Sequence, residues 1–158
     1  MYINKEKLKT QPTIIAYNES YRQAVFDFTE ACFTELGKAF EPSGRHSYYT
    51  DIANNFERFY CMLYENKVIG TVALRKIDSI TMELKALYLV KDFRGRGLGH
   101  KLLKTAITEA RNLGYKNLIL DSMSKYKDAI RLYEKFGFKY TDCFKENTYA
   151  DIFMQLQL

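Results

Sequence analysis

"SITMELKALYLVKDFRGRGLGHKLLKTAITEARNLGYKNLILD", residues 79–121, holds a strand, a glycine-rich turn, a helix and a second strand in one run. Residues 79–90 are strand-like and end just before the glycines. From about 97 to 113, Leu98, Leu102, Leu103, Ala106, Ile107 and Ala110 recur at helical spacing until Gly114 stops the helix. "NLILD" (117–121) is apolar without alternation, the pattern of a strand covered on both faces. Strand, helix and strand in this order predict a parallel pair joined by a right-handed crossover.

The turn before the helix raises the question of a ligand. Backbone N–H groups at a helix N-terminus have no intrahelical partner, and the helix dipole adds partial positive charge there. Phosphate is the usual occupant of such a site. Gly97 and Gly99 would let phosphate oxygens approach where a Cβ would otherwise stand. Two phosphate motifs fail on spacing: a dinucleotide fingerprint starting at Gly95 needs glycine at position 100, which is His100, and no Gly-Lys-Ser/Thr run completes a P-loop.

Charge points to the same place. The net charge is +5, yet residues 1–90 balance. Most of the excess lies in 91–116, where Lys91, Arg94, Arg96, Lys101, Lys104, Arg111 and Lys116 face only Asp92 and Glu109. A local positive field beside a glycine turn suits an anionic ligand, whereas a nucleic-acid face would spread its basicity more widely. No nucleic-acid partner is therefore expected.

Outward from this unit, the chain of 158 residues suits one domain over 1–158, with no repeat or linker to divide it. "TIIAY" (13–17) reads as a strand. A helix capped from Asn18 or Ser20 runs to about Gly37, with Ala24, Val25, Phe28, Ala31, Cys32 and Leu36 on its apolar stripe. A loop over 41–47 precedes a short helix around 48–57. Two apolar runs flank Glu65-Asn66-Lys67 as a hairpin, residues 126–136 form a helix ended by Gly137, and strands at about 138–145 and 149–157 follow. The order is βααβββαβαββ, a mixed α/β domain. Cys32, Cys61 and Cys143 form no CxxC pattern and read as buried thiols in a reducing cytosol, so a cytoplasmic location is expected. The N-terminal stretch over 1–12 has charge but no apolar core, unlike a secretory signal, and no apolar run approaches the roughly 20 residues that span a bilayer. With two histidines, no metal site is expected.

"LYLVKDFRGRGLGHKLL" resembles the acyl-CoA signature of the GNAT-type N-acetyltransferase superfamily, which runs Arg or Gln, two residues, Gly, one residue, Gly or Ala; Arg94, Gly97 and Gly99 match it. "AIRLYEKFGF" (129–138) is similar to the family's Ala-x-x-x-Tyr-x-x-x-Gly-Phe helix and strand. The resemblance implies a central mixed, mostly antiparallel sheet, splayed at parallel strands 4 and 5 and flanked by helices on both faces. It also implies acetyl-CoA as donor, without a metal. The implied activity is N-acetyltransferase: acetyl passes to a primary amine, a small molecule, by direct attack in a ternary complex. A protein or peptide acceptor and a non-catalytic acyl-CoA-binding regulator are the alternatives. The chain is expected to act as a monomer or homodimer, with no membrane partner.

By the same resemblance, Arg94, Gly95, Arg96, Gly97, Leu98, Gly99 and His100 form the pyrophosphate cradle, with Lys91, Lys101 and Lys104 near the outer phosphate. Leu87 and Leu89 would pair with pantetheine as an added strand would. The Leu89 amide would polarise the thioester carbonyl. Glu83, on the strand of Leu87 and Leu89, is the expected base, and the two-residue period places 83, 85, 87 and 89 on one face. Tyr133 matches the family tyrosine that serves as acid near the sulfur. Three positions before the motif alanine, relatives carry Asn where this chain has Tyr126, another cofactor-contact candidate. Glu41, Arg45 and His46 of the loop, with Lys85, are candidate acceptor contacts.

Overall fold

The computed structural model describes residues 6–158. The first five residues of the N-terminal stretch 1–12 lie outside the described residues. Strands β1 (Thr13–Ala16), β2 (Arg58–Tyr64), β3 (Lys67–Lys76), β4 (Thr81–Leu89), β5 (Asn117–Ser122), β6 (Lys139–Tyr140) and β7 (Ile152–Gln157) form one sheet in the order β1-β2-β3-β4-β5-β7-β6. Every neighbouring pair is antiparallel except β4 with β5. Helices α1 (Arg22–Glu35) and α2 (Ile52–Asn55) serve one face, and α3 (Leu98–Asn112) and α4 (Lys127–Lys135) the other.

The packing follows the side-chain pattern. On α3 the six apolar residues at helical spacing are all buried, against Met82 and Leu84 of β4 and Leu118 and Leu120 of β5. Burying each leucine there contributes about 1.5–3 kcal/mol before conformational costs. The opposite face holds Val25, Tyr49, Ile52, Phe56, Phe59 and Cys61. In the β2–β3 hairpin, Glu65 and Asn66 both take positive φ, as a two-residue turn matched to strand twist requires.

Several elements differ from the sequence expectation. Helix α1 turns Phe33 inward and leaves Ala24 and Ala31 exposed, because its buried face is wider on the Phe28–Phe33 side than the alanines suggested. The stretch 48–57 breaks into a short 3-10 turn and a single α-helical turn. Leu118 and Leu120 are buried but Ile119 only partly, so β5 is fully covered on one face alone. The strand expected at 138–145 pairs over two residues only, and 141–151 crosses to β7 irregularly. Cys32 and Cys61 are buried, while Cys143 is exposed.

Strand β4 departs from regular pairing on both of its edges. It pairs with β5 only over Thr81, Met82 and Glu83, so the parallel strands part beyond Glu83. It also bulges against β3: Lys85 faces Ala73 and Tyr88 faces Thr71, leaving Ala86 and Leu87 opposite Val72 alone. Ala86 takes φ +55 there, a conformation that costs an L-residue about 1–2 kcal/mol. The Thr71 hydroxyl donates to the Ala86 carbonyl at 2.6 Å and holds the bulge.

Candidate active site

At the head of α3, Gly95 and Gly97 have φ +73 and +76, and a Cβ built on Gly97 would meet nothing within 4 Å. The space over this backbone is open, and side chains rarely adopt its conformation. The first α-helical bond runs from Lys101 N–H to Gly97 O, so the N–H groups of Gly97, Leu98, Gly99 and His100 have no partner within the helix. This is a cradle for an anion. The arginines beside it are committed elsewhere. Arg94 donates from Nε to Leu89 O at 3.0 Å and pairs with Glu35 at 2.9 Å, tying the turn to β4 and α1. Arg96 donates to Glu6 O at 2.7 Å. His100 lies 4.6 Å from the Phe136 ring, and Lys91, Lys101 and Lys104 are exposed.

Beyond Glu83 the open side of β4 faces the gap. Val90 N–H donates to Ile69 O, so strand alternation turns the Leu89 and Leu87 amides the other way, toward the parting of β4 and β5. The bulge corrects the side-chain reading. Leu87 and Leu89 pack on the α3 face with Met82 and Leu84, not beside Glu83 and Lys85. Tyr88 takes the place expected for them, 5.3 Å from Phe33 of α1. One extra residue reverses the alternation.

Glu83 is 1% exposed at the last position where β4 pairs with β5. A charge this deep needs partners. Lys145 Nζ lies 2.5 Å from its Oε2, and Lys85 Nζ 4.0 Å from its Oε1. Lys145 also reaches Asp121 of β5 at 3.4 Å, and Asn147 donates to Asp121 at 2.5 Å. Burial pulls the Lys145 ammonium down, but the Glu83 and Asp121 carboxylates outweigh it and hold its pKa above normal. Burial lowers Lys85, with Glu83 opposing. The result is two carboxylates balanced by two ammonium groups at the fork of the strands.

Tyr133 enters the same region from α4, buried and 5.7 Å from Phe138. Burial, with Asp121 adding to it, pushes its phenol well above its ordinary value. It therefore stays protonated and can donate. Tyr126 caps α4, and its hydroxyl is buried with no hydrogen-bond partner among the described residues.

The loop over 41–47 forms the outer wall. Glu41 and Arg45 pair at 2.5 Å, and the Arg45 guanidinium sits 3.8 Å from the Tyr149 ring centre, clasping the loop to the 141–151 crossing. His46 points inward: its Nδ1 accepts from Glu41 N–H at 2.9 Å and its ring meets Phe33 at 4.9 Å. Burial, reinforced by Arg45, lowers its pKa to about 4, so it is a neutral strut of the loop. The structure thus brings Glu83 and Lys85 together, buries Tyr133 in the cluster on the α3 face within electrostatic reach of Asp121, and pairs Glu41 with Arg45 in the outer loop. Sequence reasoning missed Lys38, Tyr88, Asp121 and Lys145. The need for a counter-charge to Glu83 was readable, but no spacing signal links it to a lysine 62 positions away.

Comparison with known proteins identifies the family and the fold. A sequence model described as "Acetyltransferase (GNAT) family" matches residues 22–138. The chain is 33% identical over 87 residues to Escherichia coli K12 "Uncharacterized N-acetyltransferase YjgM", spanning 53% of this chain and 52% of that one. The chain therefore matches about half the length of that relative. Among solved structures, a GNAT-family acetyltransferase from Staphylococcus aureus Mu50 superposes with TM-score 0.86 at 20% identity, over 93% of this chain and 99% of its own. A GNAT-family acetyltransferase from Elizabethkingia anophelis with acetyl-CoA bound superposes at 0.72 with 24% identity, over 95% and 100%.

Proposed function

The chain belongs to the acetyltransferase (GNAT) family, and on that premise we propose that it transfers acetyl from acetyl-CoA to a primary amine of a small molecule, by direct attack in a ternary complex. The observation that carries this reading is Glu83, a buried carboxylate placed where β4 and β5 part. The residues present fit the donor. The open backbone over Gly97 and the unpaired N–H groups at the head of α3 suit the pyrophosphate, and the outward amides of Leu87 and Leu89 suit the pantetheine arm.

Acetyl-CoA supplies the acetyl thioester; the chain supplies the proton transfers and alignment. An amine with pKa near 10 is only about a thousandth neutral at pH 7, so a base must unmask it. Glu83 takes that proton, directly or through a water. The Leu89 N–H donates to the thioester carbonyl oxygen as charge gathers there. Tyr133 gives its proton to the departing sulfur and regains one from the attacking nitrogen or solvent. The small-molecule reading rests on the clasp of Arg45 on Tyr149, which ties the 41–47 loop to the segment that carries Lys145 to Glu83. Free CoA thiol, followed with the intact protein, acetyl-CoA and a panel of small amines and peptides, tests the proposal. Release with a small amine is expected; release with peptides alone would overturn the acceptor class, and none with any acceptor would overturn the activity.

A further inference from the structure

Around the fork, the carboxylates are paired, but not every ammonium group is. Glu83 and Asp121 are matched by Lys145 and Lys85, and Glu41 by Arg45. Lys38, just past the end of α1, has no carboxylate within ion-pair distance among the described residues. Its ammonium instead lies 5.0 Å from the ring centre of Phe33, 5.8 Å from Tyr88 and 5.6 Å from Tyr126. Aromatic faces recover part of what a half-buried ammonium loses on leaving water, though less than an anion would. Burial first, then Arg45, presses the Lys38 pKa downward, with Lys125 and Lys85 adding to it and Asp121 alone opposing. Lys125 reaches the far side of the frame, 5.4 Å from the Tyr126 ring centre. The buried Tyr126 hydroxyl without a partner is a further donor there.

We propose that Lys38, framed by Phe33, Tyr88 and Tyr126, is a subsite for an anionic group carried by the acceptor, so that the preferred substrate is an amine bearing a carboxylate or phosphate. This rests on the acetyltransferase reading and names its substrate class. The donor's phosphates are a poorer occupant. Their cradle belongs to the α3 face of the sheet, whereas Lys38 sits against Phe33 of α1 and against Tyr88, which the bulge turns to the α1 face. The acceptor would then lie along β4, with its amine toward Glu83 and its anion toward Tyr88.

The test compares ω-amino acids of increasing length with their primary amides, and aminoalkyl phosphates with the matching amino alcohols, using the intact protein. For one chain length kcat/KM is expected to favour the anionic member by ~10–100-fold, and the better of carboxylate and phosphate identifies the anion. Lys38→Met is expected to erase that preference through the KM of the anionic acceptor, with the KM of acetyl-CoA unmoved. Lys38→Glu is expected to turn the preference toward diamines. Equal kcat/KM within every pair in the wild-type protein, or a Lys38→Met protein whose loss falls on the KM of acetyl-CoA, overturns the subsite. Should no amine be acetylated, the activity reading fails by itself. Calorimetry of the same pairs with wild type and Lys38→Met then decides the subsite: tighter binding of the anionic member, lost in the variant, supports it, and indifference overturns it.

Discussion

Lys145 Nζ lies 2.5 Å from Glu83 Oε2, joining the irregular crossing before β7 to a buried position at the fork of β4 and β5. Removing one partner of a buried pair leaves the other charge uncompensated, at a cost of roughly 3–5 kcal/mol when nothing replaces it. Lys85 remains near Glu83 and Lys145 is 30% exposed, which moderates the loss. Lys145→Met is expected to lower unfolding stability by about 1–3 kcal/mol. Urea titration of the two proteins at neutral pH measures it, and a change below about 0.5 kcal/mol would mean that the pair is solvated and stabilises little.

The β4 bulge gives a second expectation, with two signs. Thr71→Val takes away the hydroxyl that donates to Ala86 O and leaves that carbonyl short of a partner, so stability should fall by about 1–2 kcal/mol. Ala86→Gly relieves a positive φ and should be neutral or stabilising by up to about 1 kcal/mol. Thermal or chemical unfolding of both variants checks the pair. Unchanged stability in Thr71→Val would show that the Thr71 hydroxyl does not hold the bulge, and a loss in Ala86→Gly that the positive φ is not the strained feature.

His46 makes stability depend on pH. Its folded pKa of about 4 lies below the ordinary 6.5. The unfolded chain therefore binds the proton first, and the contribution present above pH 6.5 is lost as pH falls toward 4. Full expression of the shift corresponds to on the order of 3 kcal/mol. Denaturant midpoints measured from pH 7 to 4 should show a steeper fall in wild type than in His46→Asn, whose amide oxygen can stand in for Nδ1 without titrating. Parallel profiles would exclude His46 as the source.

Much of this architecture was legible in the residues themselves. The 79–121 run carries its own strand, helix and strand pattern, and its glycines mark the turn because positive φ and open backbone are what glycine supplies. The side-chain facing of Leu87 and Leu89 was not legible. A bulge centred on Ala86 has no glycine to announce it, and only the register against Val72 reveals the reversal. Lys38 and Lys145 were hidden for another reason. Both reach the fork through non-local packing from irregular segments, where neither the helical nor the strand period applies.

The cradle at the head of α3 yields a binding prediction. Gly97→Val places a branched side chain at φ +76 and in the open space over the backbone, so CoA affinity should fall by at least ~10-fold. Calorimetric titration with CoA reads it directly. Circular dichroism on the same sample shows whether the fold persists, and normal affinity in a folded variant would mean that CoA does not rest on this turn.

Everything proposed for the chemistry depends on proton removal by Glu83, and single-turnover acetyl transfer measured alongside CoA binding isolates that step. With the best amine of the panel, Glu83→Gln is expected to slow the transfer by ~10²–10⁴-fold while CoA binds as tightly as to wild type, with the deficit shrinking as rising pH supplies neutral amine. Transfer at the wild-type rate by a folded Glu83→Gln protein would show that Glu83 is not the base.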